Sequence, residues 1–183
     1  MDITIDYRHF WQFNNIKRYS IRLNQHYPEN DSEHSFFVAI IVAKLMDHFN
    51  FHSYNLLKFS LIHDIGELIT GDINTGCKTP ALRKELHKIE EPIIEAYSKY
   101  LNISKISDAE ESLLKAADVL TTYFYGKMNG VEDIRVSGFK LFKFYLRQFK
   151  KLRAQGSDSK GTDLRSIAEA EGVYKNLQVK NLH

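Results

Sequence analysis

Apolar residues along this chain recur at helical spacing, and no long stretch alternates with period two, so the chain reads as mostly helical. From Ser32 to about Asn50, Phe37, Ile40, Ile41, Ala43 and Leu45 make a broad apolar face, with Asp31 placed as the N-cap. Ser53 is placed to cap a second helix that carries Leu56, Leu57, Phe59, Leu61 and Ile62 and ends near His63-Asp64. Gly66 and Gly71 bracket a short helical turn holding Glu67. Thr79-Pro80 has the form of a helix start, for a helix to about Tyr100 that Pro92 is placed to kink or divide. Ser107-Asp108-Ala109-Glu110 is a capping box opening a helix to about Met128, on which Leu114, Asp118, Thr121 and Tyr125 fall near one face. A further helix is expected from about Gly138 to Arg153, then a flexible loop to Gly161 and a peripheral helical tail after Thr162. The aromatics Phe139, Phe142, Phe144, Tyr145 and Phe149 read as core or oligomer interface.

No internal repeat or second domain is visible, and 183 residues suit one domain, 1–183, with a substantial core. Lys plus Arg number 25 against 23 Asp plus Glu, a net charge of +2, too weak to argue for nucleic acid or an anionic membrane. The longest apolar run, Phe36 to Ala43, is too short to span a bilayer, and the first residues lack the form of a secretory signal. The lone cysteine, Cys77, rules out an internal disulfide and suits a reducing cytoplasm.

The chemistry lies in four residues on these helix-patterned segments. His34 stands in the first turn of one helix, His63-Asp64 at the end of the next, and Asp118 midway along a later one. A lone histidine in such a setting is ordinarily a hydrogen-bonded core residue. Two imidazoles and two carboxylates together suit one divalent ion such as Mn, Co, Fe, Zn or Mg, since each is costly to bury alone. Glu67, one turn beyond Asp64, is placed for proton transfer, and Asp72 for a complementary transfer or for holding a sugar hydroxyl. Arg18 and Lys78 supply the positive charge a phosphate needs, and Tyr19 offers a ring for stacking. The remaining histidines show no ligand spacing.

These residues together resemble the HD-domain metal-dependent phosphohydrolases. Arg18-Tyr19, Glu33-His34-Ser35, His63-Asp64-x-x-Glu67, Thr70-Gly71-Asp72 and Asp118 are similar to the bacterial 5′-deoxynucleotidase branch, whose framework is shared by phage enzymes that remove triphosphate from dATP. The likeness covers roughly residues 16 to 125. It implies an all-α helical bundle with a metal site between helices, and a cytoplasmic, commonly homo-oligomeric enzyme. The reaction implied is hydrolysis at the 5′ phosphate ester of a deoxynucleotide. His34, His63, Asp64 and Asp118 would bind metal, Glu67 would be catalytic and Arg18 would hold phosphate. Asp72, Asn74 and Thr75 would line the nucleotide site. The bacterial enzymes typically have Trp where Tyr19 stands, and prolines where Ile73-Asn74-Thr75-Gly76 follows Asp72. Both departures fall where base or sugar would sit. Ile21 could press on a purine edge.

Two rivals share this framework. A catalytically silent nucleotide-binding sensor would not need both Glu67 and Asp72. A cyclic-nucleotide phosphodiesterase often employs two metals, and no additional His pair is present to hold a second ion.

Overall fold

The computed structural model describes residues 5–18, 28–73 and 77–156. Seven helices appear among them: α1 (Tyr7–Phe13), α2 (Asp31–His48), α3 (Tyr54–Ser60), α4 (Glu67–Thr70), α5 (Pro80–Tyr100), α6 (Asp108–Met128) and α7 (Glu132–Gly156). No strand appears among the described residues. Among the described residues, the one ladder-like contact is an isolated antiparallel bridge between Lys17 and Asn30. The expected all-α class is what the structure has. No described helix is long and apolar enough to cross a membrane.

Local chemistry explains most boundaries. Ser53, Thr79 and Ser107 each accept a backbone N–H in the first turn of the helix that follows, as N-caps do. Pro92 neither divides α5 nor ends it; the helix runs through to Tyr100. Three other expectations need correction. The N-cap of α2 is Asn30, which forms a capping box with Glu33, so Asp31 is the first helical residue and is fully buried. The second apolar helix stops at Ser60. From there the chain continues in tight turns bonded three residues back, Ile62 N–H to Phe59, Ile65 N–H to Ile62 and Glu67 N–H to Asp64. The last helix begins at Glu132 rather than near Gly138. Gly138 lies inside it because a Cβ there would stand 3.0 Å from Tyr123 N and Val119 O, so the missing side chain lets α7 press onto α6.

One helix was not expected. α1 is seven residues long and begins with a capping box in which His9 takes the place usually held by Glu or Gln. The loop from Gly156 onward, the C-terminal tail, and Tyr19, Ile21, Asn74 and Thr75 lie outside the described residues.

Two apolar clusters hold the helices. The larger joins α2, α3, α6 and α7 through Val38, Val42, Leu45, Leu56, Leu113, Leu120 and Phe149. Among the C-terminal aromatics, Phe142 and Phe149 are core, while Phe144 is half exposed. The smaller cluster gathers Phe13, Ile62, Ile65, Ile93, Tyr97 and Ile103 from α1, the turns before α4, α5 and the segment that follows α5. The polar residues singled out by sequence lie between the two.

Candidate metal and phosphate site

The turns from Leu61 to Gly66 bring the two regions together. Ile62 and Ile65, three residues apart, both point into the smaller cluster, and His63 and Asp64 between them turn toward α2 and α6. Gly66 fixes how α5 meets this segment. A Cβ on it would lie 2.6 Å from Glu90 Cβ, closer than atoms can pack. Thr70 then ties α4 to the same residue, its hydroxyl donating to Glu90 at 2.7 Å.

Ligand atoms of His34, His63 and Asp118 all lie within 4.8 Å of one another. Both imidazoles are already oriented. His63 Nδ1–H donates to the Ser60 carbonyl at 2.8 Å, which turns Nε2 toward the carboxylates. The Thr121 hydroxyl donates to the Asp118 carbonyl and so can accept from His34 Nδ1 at 3.2 Å, with Glu29 Oε2 3.5 Å from the same nitrogen. His34 Nε2 then faces Asp118 Oδ1 at 3.0 Å. Anchoring one ring nitrogen to free the other is the usual arrangement around metal-ligating histidines. Asp64 Oδ2 lies 3.3 Å from His63 Nε2 and 3.8 Å from His34 Nε2.

The residues fit a divalent cation. His63 Nε2 is buried and makes no hydrogen bond, an expensive state for a polar atom unless something coordinates it. The donor set of two imidazoles and two carboxylates has the hard and borderline character that Zn, Mn, Co or Mg accept. The local field also calls for positive charge. Burial and Arg18 both work against a proton on His34, yet hydrogen bonds with Asp118 and Glu29 raise its pKa to about 9. Burial opposes ionisation of Asp118, but the His34 hydrogen bond and the charges of His34, His63 and Arg18 hold it well below the usual carboxylate range. Asp64 is likewise held low against its burial by His63, Arg18 and His34.

A second group of charges adjoins this set. Arg18 Nη1 donates to Asp64 Oδ2 at 3.0 Å and to Asp31 Oδ1 at 3.3 Å, and its Nε lies 3.5 Å from Glu29 Oε2. Backbone pairing positions it. Arg18 N–H donates to the Glu29 carbonyl and Asp31 N–H to the Ile16 carbonyl, at 3.0 and 3.1 Å. Glu67 is buried, with Oε1 3.6 Å from Lys78 Nζ, and its Oε2 has no protein hydrogen-bond partner. Burial pushes Glu67 up to about 10, with Asp64, Asp31 and Asp72 adding to the effect and Arg18 opposing it. Burial also raises Asp31, to about 6, against the pull of Arg18. Asp72 is near enough for its charge to act on both.

Of the residues proposed from sequence, His34, His63, Asp64, Glu67, Asp72, Lys78, Arg18 and Asp118 therefore converge on one region. Glu29, Asp31 and Thr121 are additional members. The spacing Asn30-x-x-Glu33 was the available signal for Asp31, since a capping box there moves Asp31 inside the helix.

The sequence matches the YfbR-like 5′-deoxynucleotidase family over residues 7–158. A dATP triphosphohydrolase of cyanophage S-2L is 31% identical over 111 residues, 57% of this chain and 61% of that protein, so the chain spans about three-fifths of that relative's length. Among solved structures, the cyanophage S-2L HD phosphohydrolase bound to dA and one catalytic Zn²⁺ ion is similar with a TM-score of 0.67 and 21% identity, covering 85% of this chain and 99% of that one. An HD-domain phosphohydrolase from Listeria innocua is similar with a TM-score of 0.59 and 20% identity, covering 81% and 80%. The helical framework described above is thus that of the HD-domain proteins.

Proposed function

The chain belongs to the YfbR-like 5′-deoxynucleotidase family, and on that premise we propose that it hydrolyses 2′-deoxynucleotides at the 5′ phosphate ester with a divalent metal ion. The observation that carries the proposal is the convergence of His34, His63 and Asp118 within 4.8 Å, next to Arg18 and the buried Glu67. A monophosphate substrate would give deoxynucleoside and phosphate, as the family description suggests. A triphosphate would give deoxynucleoside and tripolyphosphate, and the phage relative supports that version.

His34, His63, Asp64 and Asp118 would hold the ion, which supplies charge neutralisation at phosphorus and acidification of water. Arg18 offers a planar fork of five N–H donors, enough to serve its carboxylate partners and a phosphate oxygen together. Lys78, beside Glu67, adds a point charge for a longer phosphate chain. Glu67 is the proton-transfer group. Raised by burial, it can carry a proton, share it with the neighbouring Asp31 carboxylate, and give it to the departing 5′ oxygen. Asp72, with Asn74 and Thr75, would receive the sugar, and Tyr19 and Ile21 the base. We further place the protein as a single-domain cytoplasmic homo-oligomer. Half-exposed Phe36, Phe37 and Ile40 on α2 and the lone Cys77 support that reading.

Incubation with dAMP and dATP in Mn²⁺, Co²⁺, Zn²⁺ or Mg²⁺, with product analysis, tests the proposal. Deoxyadenosine accompanied by phosphate or tripolyphosphate is expected. Absence of turnover of any deoxynucleotide would overturn it in favour of a silent nucleotide sensor.

A further inference from the structure

Asp31 is a fully buried carboxylate that neither caps a helix nor belongs to the ligand set. The N-terminus of α2 is already closed by Asn30 and Glu33, whose side chains take each other's backbone N–H groups. The backbone N–H of Asp31 is occupied by Ile16. An acid in a first helical turn usually gains from the helix dipole while remaining solvated. With no solvent contact, Asp31 forfeits its hydration, a cost offset first by a close cation and then by a hydrogen bond from Glu67. That cation is Arg18, 3.3 Å away, and the same Nη1 reaches Asp64 Oδ2 at 3.0 Å. Backbone bonds between residues 16–18 and 29–31 hold the arginine and the aspartate side by side from the main chain as well.

We infer that Asp31 is a positioning residue for phosphate recognition: it pins the Arg18 guanidinium against Asp64, so that the arginine meets a phosphate from a fixed place beside the metal ligands. This rests on the reading of Arg18 as a phosphate-binding residue. Asp31 itself touches no substrate. A long side chain with four rotatable bonds loses much of its freedom when one donor is held, and that ordering occurs before the ligand arrives. Without Asp31, Arg18 would retain Asp64 and Glu29 as partners and could swing between them.

Inorganic phosphate and 2′-deoxyadenosine, the products of the reaction with dAMP, are probes that do not turn over. Calorimetric binding of each would be measured for wild type, Asp31→Asn, Arg18→Gln and the double variant, at Mn²⁺ shown to saturate each protein. Asp31→Asn should weaken phosphate about tenfold, as expected for one misplaced charge-assisted contact, and leave deoxyadenosine within about twofold. In the Arg18→Gln background the same change should add almost nothing, because residues acting through one another are not additive. Equal loss of both probes, no loss of phosphate, or a full additional loss in the double variant would each overturn the inference. If Arg18→Gln binds phosphate like wild type, or wild type binds neither probe, the functional reading fails and the inference with it. Should Asp31→Asn not fold, Asp31→Ser removes the charge, leaves room for water and carries the same comparisons.

Discussion

The two apolar clusters contribute to the site in opposite ways. The larger one fixes α2 and α6, and each presents one group from within a long helix, His34 and Asp118. The smaller one holds a run of tight turns, and from seven residues of it come His63, Asp64 and Glu67. Half of the site thus rests on elements that would be ordered without it. The other half depends on Ile62 and Ile65 remaining seated and on α5 lying against Gly66. A bound ion would join the halves, so metal affinity and packing of the smaller cluster should be linked in a way that packing of the larger one is not.

The most severe break is at the junction. Asp64→Ala should lower turnover on the order of 10³-fold or more and abolish stoichiometric metal binding, since it removes a ligand and takes one of three carboxylates from Arg18 beside the ion. Elemental analysis of the purified variant checks this, and full metal occupancy would contradict the assignment. Next come the cores. Phe149→Ala in the larger cluster should cost about 3–5 kcal/mol and Ile65→Ala in the smaller about 2–5 kcal/mol by denaturant unfolding. The comparison sharpens when Mn²⁺ titrations are made on the folded proteins. Ile65→Ala should lose metal affinity, whereas Phe149→Ala should keep it. Equal effects would mean that the two regions form one mechanical unit.

Smaller effects are expected at the two close approaches. Gly138→Ala and Gly66→Ala should each destabilise by about 1–3 kcal/mol through overpacking. Only Gly66→Ala, by displacing α5 from the turns, should also reduce activity per folded molecule. The mildest perturbation is pH. In metal-free protein the raised pKa of His34, about 9 against an ordinary 6.5, contributes stability that is complete below pH 6.5 and lost as pH rises through about 9. The raised Glu67 carboxyl acts in the same direction. Melting temperature should therefore fall from pH 6.5 to 9 without metal. It should fall less with Mn²⁺, which requires His34 to be without that proton already.

Legibility in the sequence cuts across this division: α5 of the smaller cluster is legible from Thr79-Pro80 to Tyr100, while the start of α7 in the larger is not. Apolar spacing in α2 and the capping box and spacing of α6 mark those two helices, and with them the places of His34 and Asp118. His63-Asp64 was legible as chemistry but not as local structure. A helix continuing to residue 64 and a helix yielding to tight turns at Ser60 carry the same apolar pattern. Gly138, near which the sequence suggests a helix start, answers a contact with α6 that only the folded chain reveals. α1 carries little sequence signal because it is short and capped through a histidine. The carboxylates around Arg18 depend on backbone pairing between residues 16–18 and 29–31, which no periodicity encodes.

The alternation of core and ligand residues in the tight turns also bears on how this protein can change over evolutionary time. With about three residues per turn, each position in such a segment is rotated by roughly 120° from the last. Deleting or inserting a single residue between Ser60 and Glu67 would therefore exchange an isoleucine of the core for a residue of the site. Substitutions can be tried there one at a time, but a change in length cannot. A one-residue insertion after His63 should therefore abolish metal binding, whereas one in a mostly exposed connection such as residues 102–106 should leave it intact.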